Sequence, residues 1–324
     1  MSETYLQTTR EIYREAALTP QVGLCCTTTP VWKLPELSIP TEMLEMNYGC
    51  GSTVHPRDLA GSPSILYAGI GGGMELLQFS YFSRRPTAVI GIDPVSEMLN
   101  SCRRNLRLAE LSNPWFRREF VELREGDVLD LPAEDSSIDV AAQNCLFNIF
   151  HLQDLQRALQ QMYRVLKPGG RLVLSDPVCQ ERIPDELRND ENLRATCLSG
   201  AIPLEEYLAL ITATGFGTVE VRAKRPYRVL DPRHYPIDRT ILVESVEVCA
   251  IKDPIPDDGP CVFTGRTAIY FGEAEFFNDG AGHILNCNQP LAVCDKTAAK
   301  LRSLGRSDLY ITDSTYFYDG GGCC

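Results

Sequence analysis

Apolar positions along this chain change period several times, and the changes lay out its elements. Between residues 3 and 17 they recur at helical spacing and predict a short amphipathic helix; residues 18 to 62 are Pro, Thr and Gly rich with little periodicity, outside the core. The continuous apolar run SILYAGI (64 to 70) predicts a buried strand, MELLQFSYF (74 to 82) a helix, and TAVIGID (87 to 93) a second strand. VSEMLNSCRRNLRLAEL returns to helical spacing. REFVELREGD, SIDVAAQNC and GRLVLSDP supply three further strands, with LQDLQRALQQMYRVLKPGG as the helix before the last. Strands alternating with helices over this length predict an α/β fold with a doubly wound, mainly parallel sheet.

The rhythm then shifts. IPDELRNDENLRATC and PLEEYLALITATGF read as helical, while VEVRAKRPYRVL and RTILVESVEVCAIK are long alternating β segments that complete the sheet. DPIPDDGP (253 to 260) is a turn-rich linker. The expected organisation is an N-terminal helix with a cysteine-bearing segment (1–62), a main domain (63–252) and a small β-rich α+β module (253–324) that ends in a Gly-Cys tail. No internal repeat is visible.

Composition narrows the partners. A net charge of −12 and a pI near 4.9 offer no basic field for nucleic acid or anionic lipid. No stretch reaches the roughly 18 apolar residues of a membrane span, and the polar N-terminus has no apolar signal core, so the expectation is a cytoplasmic monomer acting on a small molecule. The 13 cysteines are an odd number without a secretion signal, which argues for reduced thiols and for soft-metal or redox chemistry. Cys25-Cys26 and Cys323-Cys324 are vicinal pairs, which packing explains poorly, and Cys50 lies between two glycines in NYGCGS, which reads as a mobile loop.

The glycine cluster in YAGIGGG, between a strand and a helix, lets backbone approach a ligand and offers helix N-terminal amides to a negative group. Asp93 ends the next strand, where a carboxylate accepts hydrogen bonds from ribose hydroxyls. That pair fits NAD and S-adenosylmethionine equally. GDVLDLPAEDSSIDV adds Asp127, placed to address an adenine edge, and LKPGGRLVLSD stops a helix on Pro-Gly-Gly just before a strand. Together these features resemble the class I (Rossmann-like) S-adenosylmethionine-dependent methyltransferases over about residues 64 to 176. The donor-binding set this implies is Gly69, Gly71, Gly73, Asp93, Met98, Asp127, Val128 and Asn144.

The cysteines carry a second resemblance. NYGCGS, QNCLFNI and NLRATCLSGAI occur in the order and setting of the metalloid-binding cysteines of arsenite methyltransferases, which implies that Cys50, Cys145 and Cys197 bind trivalent arsenic and are the catalytic residues. Cys25-Cys26 resembles an N-terminal vicinal pair of that family, implying a redox role, and GPCVFTGRTAIYFG through PLAVCDKTAAKL resembles its small C-terminal domain. The cyanobacterial subgroup associated with arsenosugar synthesis shares the glycine-cysteine tail. Two departures stand out: Tyr67 occupies the place of a usual acidic residue two before the first glycine, and Asn-Ile-Phe-His (148–151) replaces Asn-Leu-Ser-Pro. The resemblance implies arsenite or its thiol conjugate as substrate, S-adenosylmethionine as donor, and a thiol reductant, thioredoxin or glutathione.

Simpler readings stand beside these. Cys145 at the end of a buried strand packs equally well as a small hydrophobe, and Cys197 after a helix admits either role. Cys102, Cys179 and Cys249 read as packing, and Cys261, Cys287 and Cys294 as core of the last module. His55, His151, His234 and His283 have no ligand spacing. The alternatives to an arsenic methyltransferase are a metalloid-binding protein without catalysis and a methyltransferase for an organic acceptor.

Overall fold

The computed structural model describes residues 2–21, 24 and 32–320. Helix α1 (Ser2–Leu18) and the short α2 (Thr41–Glu45) precede the sheet. The alternation then runs β1 (Ile65–Ala68), α3 (Met74–Phe82), β2 (Val89–Asp93), α4 (Ser96–Ser112), β3 (Val121–Glu125), β4 (Ile138–Asn144), α5 (Leu152–Val165) and β5 (Leu166–Cys179). It continues with α6 (Asp185–Arg188), α7 (Glu191–Ala195), β6 (Ile202–Pro203), α8 (Leu204–Ala213), β7 (Thr218–Leu230) and β8 (Ile241–Ile251). In space the main sheet reads β3-β2-β1-β4-β5-β8-β7, closed at its far edge by β9 (Cys261–Phe263). The first five strands are parallel, and β8 runs antiparallel to both its neighbours.

Because β1 lies between β2 and β4, the chain leaves it in opposite directions, and a crevice opens at the carboxyl ends of β1 and β4. The register fixes what meets there. Asn144 on β4 pairs with Ser175 on β5, which pairs with Glu247 on β8, so three polar side chains form one rung across three strands. Apolar positions of β1, β2, β4 and β5 fill the core on both faces, as expected of parallel strands covered by helices.

Two expectations need revision. Residues 183 to 197 form two short helices, not one, because Asp190 caps the second by accepting from the Leu193 amide at 2.9 Å. The segment before the sheet also belongs to the core: Met43, Met46, Tyr48, Cys50, Val54 and Leu59 are buried in it, in an irregular spacing that a periodicity argument passes over. The last module holds β10 (Arg266–Tyr270), β11 (Phe276–Asn278), β12 (Ile284–Asn286), β13 (Leu291–Val293), α9 (Asp295–Ser303) and β14 (Leu309–Ile311). Its three-stranded sheet β13-β10-β14 and its hairpin β11-β12 are separate from the main sheet. No helix among the described residues is long and apolar enough to cross a membrane.

Candidate active site

A cleft lies over the crevice, and α1 roofs it with Leu6, Thr9, Arg10 and Tyr13. Of the residues singled out from sequence, Gly69, Gly71, Asp93, Met98, Asp127, Val128, Asn144 and Cys145 line it. Gly73 does not: it heads α3 in a left-handed conformation, and a Cβ there would lie 2.7 Å from the Cys102 sulfur. Asp93 receives the amides of Ile70 at 3.2 Å and Val95 at 2.9 Å, and burial pushes its carboxyl up to about 7. Asp127 accepts from Arg10 of α1 at 2.9 Å. Two carboxylates at one end and apolar walls from Ile70, Val95, Met98 and Val128 suit a nucleoside, so the cleft fits the adenosine of S-adenosylmethionine.

The thiols lie where the crevice meets the rung. Cys145 follows β4 with φ 59°, and its amide donates to the Ser175 carbonyl at 2.7 Å. Cys197 has φ 61°, and its thiol donates to the Cys145 carbonyl at 2.7 Å. Both are buried residues held in a left-handed backbone that costs about 1–3 kcal/mol each, a strain that surrounding contacts must impose. Close approach of the following segment imposes part of it: a Cβ on Gly200 would lie 1.8 Å from the Asn148 carbonyl oxygen.

Cys50 is 1% exposed, and its loop is pinned, not mobile as expected. The Asn144 amide oxygen receives the Cys50 N–H at 2.9 Å while its nitrogen donates to the Gly51 carbonyl at 2.9 Å. Ser245 donates to the Cys50 carbonyl at 2.8 Å, Glu247 receives the Ser52 amide at 2.7 Å, and the Cys50 sulfur sits 3.4 Å from the Ser175 hydroxyl. The flanking glycines serve this fit. A Cβ on Gly49 would lie 2.2 Å from the Asn144 side chain, and one on Gly51 2.2 Å from the Ser175 hydroxyl. Cys25 and Cys26 lie outside the described residues.

Cys50 therefore touches Ser175, Ser175 holds Cys145, and Cys145 holds Cys197. Among the described residues no three His, Cys, Asp or Glu side chains are closed into a ligand set. Beneath them Tyr207 donates to buried Asp176 at 2.7 Å and lies close enough to the Cys50 and Cys197 thiols to be influenced by both. Burial pushes Asp176 up to about 7. Above them Glu75, on the first turn of α3, is buried in the cleft wall, receives Asn144 at 3.0 Å, and is held above the usual carboxylate range by burial. Neither carboxylate was singled out from sequence, although an acidic residue inside the apolar run MELLQF was a legible signal for Glu75. The other thiols differ in setting: burial raises Cys179 and Cys249 to about 12 and Cys102 higher still, leaving them as inert core groups.

Residues 66–174 match the family model described as a methyltransferase domain. The fold matches the crystal structure of an arsenic(III) S-adenosylmethionine methyltransferase from Chlamydomonas reinhardtii with a TM-score of 0.58, at 22% identity, over 90% of this chain and 99% of that one. The chain has the class I S-adenosylmethionine-dependent methyltransferase fold. An arsenite methyltransferase from Aquipseudomonas alcaligenes is 33% identical over 65% of this chain and 61% of its own length. Another, from Halobacterium salinarum, is 30% identical over 56% and 44% respectively. The chain is related to the arsenite methyltransferases, and it spans about half the length of these curated relatives.

Proposed function

We propose that this chain is an enzyme that transfers methyl groups from S-adenosylmethionine to trivalent arsenic held by Cys50, Cys145 and Cys197. The observation that carries the reading is the line of contacts joining these three positions at the floor of a nucleoside-shaped cleft, with Cys145 in its wall. Trivalent arsenic is thiophilic, and three sulfurs hold it in a pyramid that leaves its lone pair free. S-Adenosylmethionine supplies a methyl group on a sulfonium: the lone pair bonds to that carbon as the carbon–sulfur bond breaks, and S-adenosylhomocysteine leaves. The residues' share is positioning and exclusion of water: buried thiols fix the arsenic and α1 covers the cleft. No general base is needed, since arsenic loses no proton.

Gaining a methyl raises arsenic from the trivalent to the pentavalent state. Two electrons restore it, and two thiols supply them by forming a disulfide, which thioredoxin or glutathione then reduces. Cys25 with Cys26, or Cys50 with a partner, is the pair we assign to this step. Such chemistry belongs in a reducing compartment, which supports a cytoplasmic enzyme, and we infer that it acts as a monomer. The glycine-cysteine tail supports kinship with the cyanobacterial arsenosugar subgroup.

The test is incubation with arsenite, S-adenosylmethionine and a thiol, followed by chromatographic separation of arsenic species. Methylated arsenic is the expected product; none from a folded sample rejects the reading. Single Cys50→Ser, Cys145→Ser and Cys197→Ser variants should lose arsenite binding and keep S-adenosylhomocysteine binding. Methylation retained in all three would move the acceptor elsewhere.

A further inference from the structure

The buried carboxylates of this molecule fall into two groups. Asp58 is held by Arg171 and Arg222, Glu220 by Arg57 and Arg222, and Glu244 by Lys224. Glu75 is 7% exposed, yet among the described residues no Lys, Arg or His forms an ion pair with it. Its hydrogen-bond partners are the Asn144 amide at 3.0 Å, the Tyr67 hydroxyl and its own backbone amide, all neutral. A carboxylate removed from water without a countercharge is costly, and fold stability alone does not account for one here. Asp93 and Asp176 also have no cation among the described residues; Asp93 serves the ribose in the reading above, and Asp176 lies outside the cleft. Glu75 faces the cleft.

The missing cation therefore comes with the ligand. We propose that Glu75, buried in the cleft wall on the first turn of α3, receives the α-ammonium group of the methyl donor. The inference rests on the donor reading above and deepens it.

The donor carries two cationic centres, and chemistry separates them. An anion set against the sulfonium would stabilise the ground state more than the transition state, because that charge vanishes as the methyl leaves. An anion on the ammonium carries no such penalty, since its charge persists through the reaction. The position agrees: Asp93 and Asp127 mark the nucleoside end of the cleft, and Glu75 stands beside Tyr67 and Asn144 at the ends of β1 and β4. The groups facing it are Tyr67 from β1 and Asn144 from β4, with the Cys50 and Cys145 thiols beside Tyr67. Burial keeps Glu75 inclined to hold a proton in the ligand-free protein, so arrival of an ammonium expels it.

Calorimetric titration with two ligands tests this. S-Adenosylhomocysteine carries the ammonium; 5′-methylthioadenosine has the same nucleoside and thioether without it. Glu75→Gln should weaken S-adenosylhomocysteine by about tenfold or more, the scale of one charge-assisted hydrogen bond, and leave 5′-methylthioadenosine within about twofold. Runs in buffers of different ionisation enthalpy should show wild type releasing more protons with the first ligand than with the second, whose ribose acts on Asp93 equally. This second measurement needs no variant and decides the matter if Glu75→Gln fails to fold. Equal loss for both ligands, no loss for either, or no difference in proton release overturns the inference. If neither ligand binds wild type, the donor reading falls and this one with it.

Discussion

Replacing Asn144 by alanine removes three hydrogen bonds at once, to the Cys50 amide, the Gly51 carbonyl and Glu75. The buried Cys50 N–H then loses its partner at about 1–3 kcal/mol, so the variant should lose roughly 1–3 kcal/mol in urea unfolding, well beyond a surface change. Asp176 gives a pH-dependent counterpart. Its folded value, about 7, lies above the unfolded one, so the native state binds the extra proton and the associated stability is lost as pH rises. Wild type should therefore lose stability relative to Asp176→Asn between about pH 4 and 7, with a constant gap above; a flat difference in urea midpoints across that range rejects the assignment. At this scale the sequence singled out Cys50, Cys145 and Cys197, which the fold joins through a line of contacts, but misled on the loop. A glycine chosen for freedom and one chosen because a Cβ would strike Asn144 or Ser175 are the same letter, and only the packed partner tells them apart.

Helix α1 was legible as an amphipathic element, but the surface it covers was not, because amphipathicity states that a face is buried and not against what. That face covers the donor cleft, and Arg10 holds Asp127 across it. The pair's side chains are 51% and 25% exposed, so it contributes at most about 1 kcal/mol. Arg10→Ala should leave the melting temperature nearly unchanged and tighten nucleoside binding a few-fold by freeing Asp127; weaker binding would mean that Arg10 itself contacts the ligand. The strands too were readable singly from their periods, whereas their spatial order was not. The alternating segments 219–230 and 240–252 look equivalent in sequence, yet β8 inserts between β5 and β7, and that choice brings Glu247 to the rung beneath Cys50.

Across the whole molecule, the last module is tied to the thiol loop. β9 extends the main sheet beside β7, Arg57 donates to the Asp319 carbonyl, and Lys224 lies 4.3 Å from the centre of the Tyr316 ring. The turn-rich linker marked a boundary, but nothing in its composition said that the chain returns to the segment following Cys50. Ending the chain at residue 260 leaves the β7 edge bare and frees Arg57 from one partner. Light scattering should show self-association of this shortened form, and its arsenite affinity should fall more than its affinity for S-adenosylhomocysteine. A monomer with both affinities intact would show the module to be independent.

The carboxamide of Asn144 grips the Cys50 backbone with its oxygen and Glu75 with its nitrogen. One planar group cannot turn toward either neighbour without shifting the other, so the two pockets proposed above, at Glu75 and at Cys50, share a hinge pin. Coupling through it is reciprocal by thermodynamic necessity: whatever factor one ligand gains from the presence of the other, the other gains in return.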